Sequence, residues 1–96
     1  MLGGDDVGKV RATCEYVQDG DTFRTKMQNW IRLARYDAPE DGQSGYSEAK
    51  KLLSSLILNK EVVYERVGVS YDRIVAEVWQ NNRNINDIML RSGYNK

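Results

Sequence analysis

One long stretch of this chain carries a helical period, and it divides the rest into two blocks of short strands. Ala49, Leu52, Leu53, Leu56 and Ile57 fall at i, i+3, i+4, i+7 and i+8, which is a single apolar stripe on an α-helix. Lys50, Lys51, Ser54 and Ser55 take the opposite face. Ser44 or Ser47 is placed to cap the start of this helix, and Asn59 to end it in the left-handed region. Burying the stripe contributes on the order of 1.5–3 kcal/mol per large side chain before entropy is counted.

On both sides of the helix the apolar period shortens to two. Val10, Ala12, Cys14 and Tyr16 alternate with Arg11, Thr13 and Glu15, the pattern of a half-buried strand. Asp19-Gly20-Asp21 interrupts it with turn chemistry. Phe23, Thr25 and Met27 mark a second strand, Gln28-Asn29 a hairpin turn, and Trp30–Tyr36 a third strand that ends before the only proline, Pro39. After the helix come a fourth strand over Glu61–Val67, a turn at Gly68-Val69-Ser70, and a fifth strand over Ile74–Trp79. Asn81-Asn82 turns again. A short helix over Asn86–Arg91 carries Ile88 and Met89 behind Ile85, with Gly93 as its stop. The expected fold is mainly β with α, an α+β chain: a five-stranded barrel of the OB type, one amphipathic helix between strands 3 and 4, and a short C-terminal helix. Residues 1–8 read as a flexible leader and residues 9–96 as one domain.

Composition removes most catalytic chemistries. The 96 residues include no histidine and one cysteine, Cys14. Histidine bases, Ser-His-Asp triads, histidine metal sites, cysteine-rich zinc sites and an internal disulfide are therefore absent from this sequence. Cys14 lies in a strand and reads as a small buried hydrophobe. Fourteen basic residues balance fourteen acidic ones, so any phosphate binding rests on local placement of charge. No apolar run reaches the roughly 20 residues of a membrane span, and Met1–Asp6 has no signal-peptide apolar core. The chain reads as soluble, with its cellular address undetermined.

What survives is carboxylate and arginine chemistry, gathered at three segments: Asp19-Gly20-Asp21-Thr22, Arg32 with Asp37-Ala38-Pro39-Glu40, and Tyr71-Asp72-Arg73. Each lies at a turn or strand end. Carboxylates suit a hard cation and guanidinium forks suit a phosphate. Each segment alone is an ordinary turn or strand junction; together they form a set fitted to phosphodiester chemistry. Tyr71 has two readings, a nucleotide contact or a strand-edge tyrosine, and Asp19 two as well, a supporting carboxylate or a turn residue.

In that order and on that scaffold, the three segments resemble the staphylococcal nuclease (thermonuclease) family, and the closing Leu90-Arg91-Ser92-Gly93-Tyr94 fits too. The resemblance runs from Lys9 onward. It implies a Ca²⁺-dependent nuclease acting on single-stranded DNA or RNA and leaving 3′-phosphate ends. It places Asp21, Asp37 and the Ala38 carbonyl on the cation. It places Arg32 and Arg73 on the scissile phosphate, with Tyr71 beside them, and Glu40 on the attacking water. The alternative is an inactive nuclease-like module that binds nucleic acid or protein; retention of Asp21, Arg32, Asp37, Glu40 and Arg73 favours the enzyme.

Three positions depart from the family pattern. Arg35 stands where a small residue is common, and its register sets it on the strand face opposite Arg32. Asp72 stands where glycine is usual, and Asp tolerates left-handed geometry. Ala38 replaces a frequent Thr, which leaves its backbone carbonyl available. The family pattern also continues into a further C-terminal helix. A chain stopping at Lys96 is expected to hold substrate less tightly and to expose an apolar patch, as a monomer or, through that patch, a homodimer.

Overall fold

The computed structural model describes residues 8–96, so the leader expected over residues 1–8 falls, up to residue 7, outside the described residues. The chain runs β1 (Lys9–Asp19), β2 (Thr22–Thr25), β3 (Trp30–Leu33), α1 (Tyr46–Ile57), β4 (Glu61–Ser70), β5 (Arg73–Gln80), β6 (Arg83–Asn84) and α2 (Ile85–Arg91). β1 is antiparallel to both β2 and β4, β2 to β3, and β4 to β5. A parallel pairing of β3 with β5, with Ile31 opposite Ile74, Arg32 opposite Val75 and Leu33 opposite Ala76, closes five strands into a ring. This is the expected five-stranded α+β architecture. The two-residue β6 on the far end of β5 is an addition to it. Among the described residues, no helix is long and apolar enough to cross a membrane.

Long β1 serves two neighbours by bending. Its first half pairs with β4 and its second half with β2, and register shifts fall between Cys14 and Tyr16 and between Val17 and Asp19. Such bulges add a residue to one strand and change which side chains face inward. That corrects the simple alternation expected here. Ala12 and Cys14 are buried, but Tyr16 and Val10 are exposed and Val17 takes the inward place. Other boundaries move as well. β2 ends at Thr25, leaving Met27 exposed on a turn in which Gln28 has φ 71°. β3 ends at Leu33. Gly68-Val69-Ser70 is no turn: β4 continues through it past a register shift between Arg66 and Gly68, and the chain reverses at Tyr71-Asp72.

The ring interior holds Phe23, Ile31, Leu33, Val62, Tyr64, Ala76 and Val78. α1 covers one opening with Ala49, Leu53 and Ile57, while Leu52 and Leu56 pack at its margin. No serine caps it. Gly45 is the N-cap, with φ 87° and no side-chain hydrogen bond. At the other end Leu58, in extended geometry, is the C-cap, and Asn59, left-handed at φ 62°, sits in the turn that follows rather than ending the helix. Gly20 sets how closely α1 approaches the β1–β2 turn. A Cβ there would stand 2.6 Å from Ala49 Cβ and 2.9 Å from Ala38 Cβ.

α2 is capped by Asn84, whose Oδ1 accepts from the Asp87 N–H at 2.8 Å. It is tied to the ring by Asn86, which is fully buried. Asn86 Oδ1 accepts from Val78 N at 2.9 Å, and its Nδ2 donates to Ala34 O at 2.9 Å and Ala76 O at 3.0 Å. The side chain thus satisfies backbone groups where β3 leaves β5, before β6 takes up the pairing. Each buried polar group left unpaired costs ~1–3 kcal/mol. Asn86→Leu is expected to lose about 2–4 kcal/mol of stability, lowering Tm by on the order of 10 °C or more. Thermal unfolding followed by circular dichroism checks it.

Candidate active site

The ring brings three chain segments to one end. The β1–β2 turn carries Asp21, and Thr22 at the start of β2 is register partner to Arg32 of β3. Leu33 N donates to Asp21 O at 2.8 Å, which pins the turn to β3. The parallel β3–β5 pairing then sets Arg73, the first residue of β5, on the same end.

Asp21 is the fixed point of the cluster. It is 7% exposed. Oδ1 accepts from the Thr22 hydroxyl at 2.8 Å and Oδ2 from the Ala38 N–H at 3.0 Å. Arg32 Nη2 lies 3.5 Å from Asp21 Oδ2 and 2.7 Å from Asp37 Oδ1, so one guanidinium nitrogen bridges both carboxylates. Its other nitrogen, Nη1, donates to Leu33 O at 2.8 Å and Tyr36 O at 2.9 Å. Those carbonyls belong to the chain as it leaves β3, so the arginine is oriented by the bend that delivers Asp37. Arg73 Nη1 donates to Thr22 Oγ1 at 3.4 Å. Thr22, fully buried, therefore links the acid to the second arginine. Its place directly after Asp21 was the sequence signal for this link, a role not assigned to it there.

Asp19 supports the turn. Its Oδ1 accepts from Asp21 N at 3.0 Å. Burial, then the hydrogen bond and charge of Asp21, push its carboxyl up to about 6. Tyr36 is buried nearby, with its hydroxyl donating to Tyr94 O at 2.5 Å. Burial first, then the Asp21 charge, raise it to about 12.

Two sequence candidates stand outside this network. Glu40 makes none of these contacts: its carboxylate is 68% exposed and pairs with Lys96 Nζ, an interaction that raises the lysine above its ordinary range. The Lys96 N–H also donates to Asp37 O at 3.1 Å, and Gln43 Oε1 accepts from Glu40 N at 2.7 Å, so the Glu40 segment is held by its backbone. Tyr71 is 93% exposed beside Arg73 and has φ 56°. The left-handed residue of that turn is Tyr71 rather than Asp72. Arg35 is not on a strand face; it sits in the turn after β3 at φ 68°. Its guanidinium is held by Glu77 at 2.7 Å through two bonds and by Asp87 at 3.0 Å, which draws Glu77 below its usual range. Arg35 is thus committed to tying β5 and α2 to the turn.

The donor set of the cluster is hard oxygen: two carboxylates on a shared neighbour and adjacent backbone. Among the described residues no group of three or more acidic or thiol side chains forms a metal-ready cluster, so a cation here would draw on backbone and water for its remaining ligands. That suits Ca²⁺, which takes six to eight oxygens in loose geometry, better than a thiolate-seeking metal.

In chelator, Asp19 gives a pH signature. Its folded value, about 6, lies above the ordinary 3.8, so the folded state binds the extra proton between them. The associated stability is present below pH ~4 and lost as pH rises through ~6. Asp19→Asn should flatten that fall, gaining stability relative to the parent at pH 7 more than at pH 4. Urea titrations at the two pH values measure it.

Comparison with known proteins adds identity to geometry. A family model described as staphylococcal nuclease homologue matches residues 30–96. A Haemophilus influenzae protein named "Uncharacterized endonuclease" is 41% identical over 92 residues, covering 88% of this chain and 52% of its own length. The chain thus spans about half the length of that curated relative. With most of the chain matched, and Arg32, Asp37, Glu40 and Arg73 all inside the match, the chain belongs to the family of staphylococcal nuclease homologues.

Proposed function

We propose that this chain is a Ca²⁺-dependent nuclease that hydrolyses phosphodiester bonds of single-stranded DNA or RNA and leaves 3′-phosphate ends. The observation that carries the reading is the shared guanidinium: Arg32 joins Asp21 to Asp37, and Arg73 stands one hydroxyl away. A purely structural cluster would have no need of a second, half-buried arginine whose side chain meets only Thr22 in this network.

In this reading Asp21 and Asp37 hold the cation with the Ala38 carbonyl. Asp21 is preset for that role, because Thr22 and the Ala38 N–H fix both of its oxygens. Bound there, Ca²⁺ offsets phosphate charge and orients water. Arg32 and Arg73 donate to the non-bridging phosphate oxygens, whose charge grows toward the transition state, and they keep their own charge throughout. For Arg32 this means exchanging carboxylate partners for phosphate, which ties its release to neutralisation of the two acids. Glu40 takes a proton from water as the water oxygen bonds to phosphorus. The P–O5′ bond breaks, and the 5′ oxygen leaves with a proton from solvent. Glu40 must first part from Lys96, and both are exposed enough to do so.

Labelled single-stranded DNA and RNA, incubated with Ca²⁺, with Mg²⁺ and with chelator, test the proposal. Cleavage is expected with Ca²⁺ and absent in chelator. Glu40→Gln, Arg73→Ala and Arg32→Lys are each expected to lose roughly 100–1000-fold in rate, the usual cost of one preorganised group at a developing charge. Equal cleavage by parent and variants, or activity that survives chelation, would sink it; tight binding without cleavage would make the chain a binding module instead.

A further inference from the structure

Arg73 opens onto a cleft of about 380 Å³ that no step above uses, walled by Gln18, Trp30, Tyr71, Asp72 and Arg73. Its size lies within the roughly 300–1,000 Å³ of small-ligand sites. Trp30 is the wall built with most support. It is the register partner of Arg24, which is the partner of Tyr16, so the three form a row across β3, β2 and β1. The Tyr16 and Trp30 rings meet edge to face, 6.1 Å apart and at 86°. The Arg24 guanidinium lies 5.6 Å from the Tyr16 ring and 5.4 Å from the Trp30 ring. Glu15 holds Arg24 Nε at 2.9 Å and accepts from Gln28 Nε2 at 3.3 Å. The indole is thus packed against a second ring and a guanidinium within the protein itself.

We propose that Trp30, braced by Arg24 and Tyr16, is the stacking wall of a nucleobase subsite next to Arg73, so that the chain selects an unpaired base beside the phosphate it grips. The placement of the phosphate rests on the nuclease reading; the subsite itself rests on the cleft. The cleft chemistry fits a base better than a second phosphate. Glu15 already balances Arg24, and the Asp72 carboxylate on the wall repels an anion while accepting from a base N–H. Gln18 can donate or accept at a base edge. Stacking on an aromatic tolerates any base but needs a free ring face, which a duplex does not offer.

Trp30 is also the reporter. In a Trp79→Phe background it is the sole tryptophan. In chelator, a hexathymidylate strand is expected to quench its fluorescence, and the same sequence in duplex to leave it unchanged. Trp30→Leu should weaken hexamer binding, read by anisotropy of a labelled strand, roughly 5- to 100-fold. Trp30→Tyr, which keeps an aromatic face, should recover most of that loss and guards against a folding defect. In Ca²⁺ the Trp30→Leu loss should fall on KM rather than kcat. Cleavage by the parent with KM unmoved in Trp30→Leu would overturn the subsite and spare the nuclease. Trp30-dependent binding without cleavage would do the reverse. Absence of any strand binding would overturn both.

Discussion

The three-residue parallel pairing of β3 with β5 is the contact on which the rest depends. Without it the chain would be an open antiparallel sheet with two exposed edges, each a template for further pairing. With it the strands form a ring, the apolar faces turn inward, and two chain segments more than forty residues apart run side by side. Arg32 and Arg73 are neighbours because of that closure, not because of any local preference.

The closure is short, and the molecule reinforces it where the pairing stops. Ala34 N continues the ladder to Ala76 O at 2.9 Å. Asn86 then takes over with three buried hydrogen bonds, and Arg35 adds a forked pair to Glu77 with a further contact to Asp87. Part of this bracing is buried and uncharged, where an intact set of hydrogen bonds specifies one arrangement. The exposed Arg35 pairs contribute less and fade with salt. Both use α2, so the short helix secures the site from behind while touching none of its acids.

At the site itself, charge is balanced internally. Asp21 is buried, and a buried polar group needs partners; it has three: a hydroxyl, a backbone N–H and a guanidinium. Asp37, largely exposed, completes the bridge. A ligand bringing both a cation and a phosphate can satisfy the acids and the arginines at once, while either alone leaves one set unmatched. The dependence on a divalent ion proposed above rests on that balance rather than on the strength of any single bond.

Much of this was written in the sequence, because it depends on local rules. The helical stripe of Ala49–Ile57, the two-residue period of the strands, the left-handed Asn59 and the absence of histidine chemistry are properties of neighbours along the chain. So is the presence of Asp21, Arg32, Asp37 and Arg73 in or beside turns and strand ends, though not their meeting. What lay beyond it depends on partners distant in sequence. The β1 bulges, beside which Tyr16 is exposed and Val17 buried, lie in its pairing with β2. Gly45 caps α1 in place of a serine, at a left-handed φ of 87°, and Gly20 lets that helix settle against the turn. Arg35 turns from a strand residue into a clamp because Glu77 and Asp87 reach it. Residue types therefore determined which chemistry was available. The tertiary structure alone decided which side chains meet, because ring closure and buried hydrogen bonds, not local propensity, fix those distances.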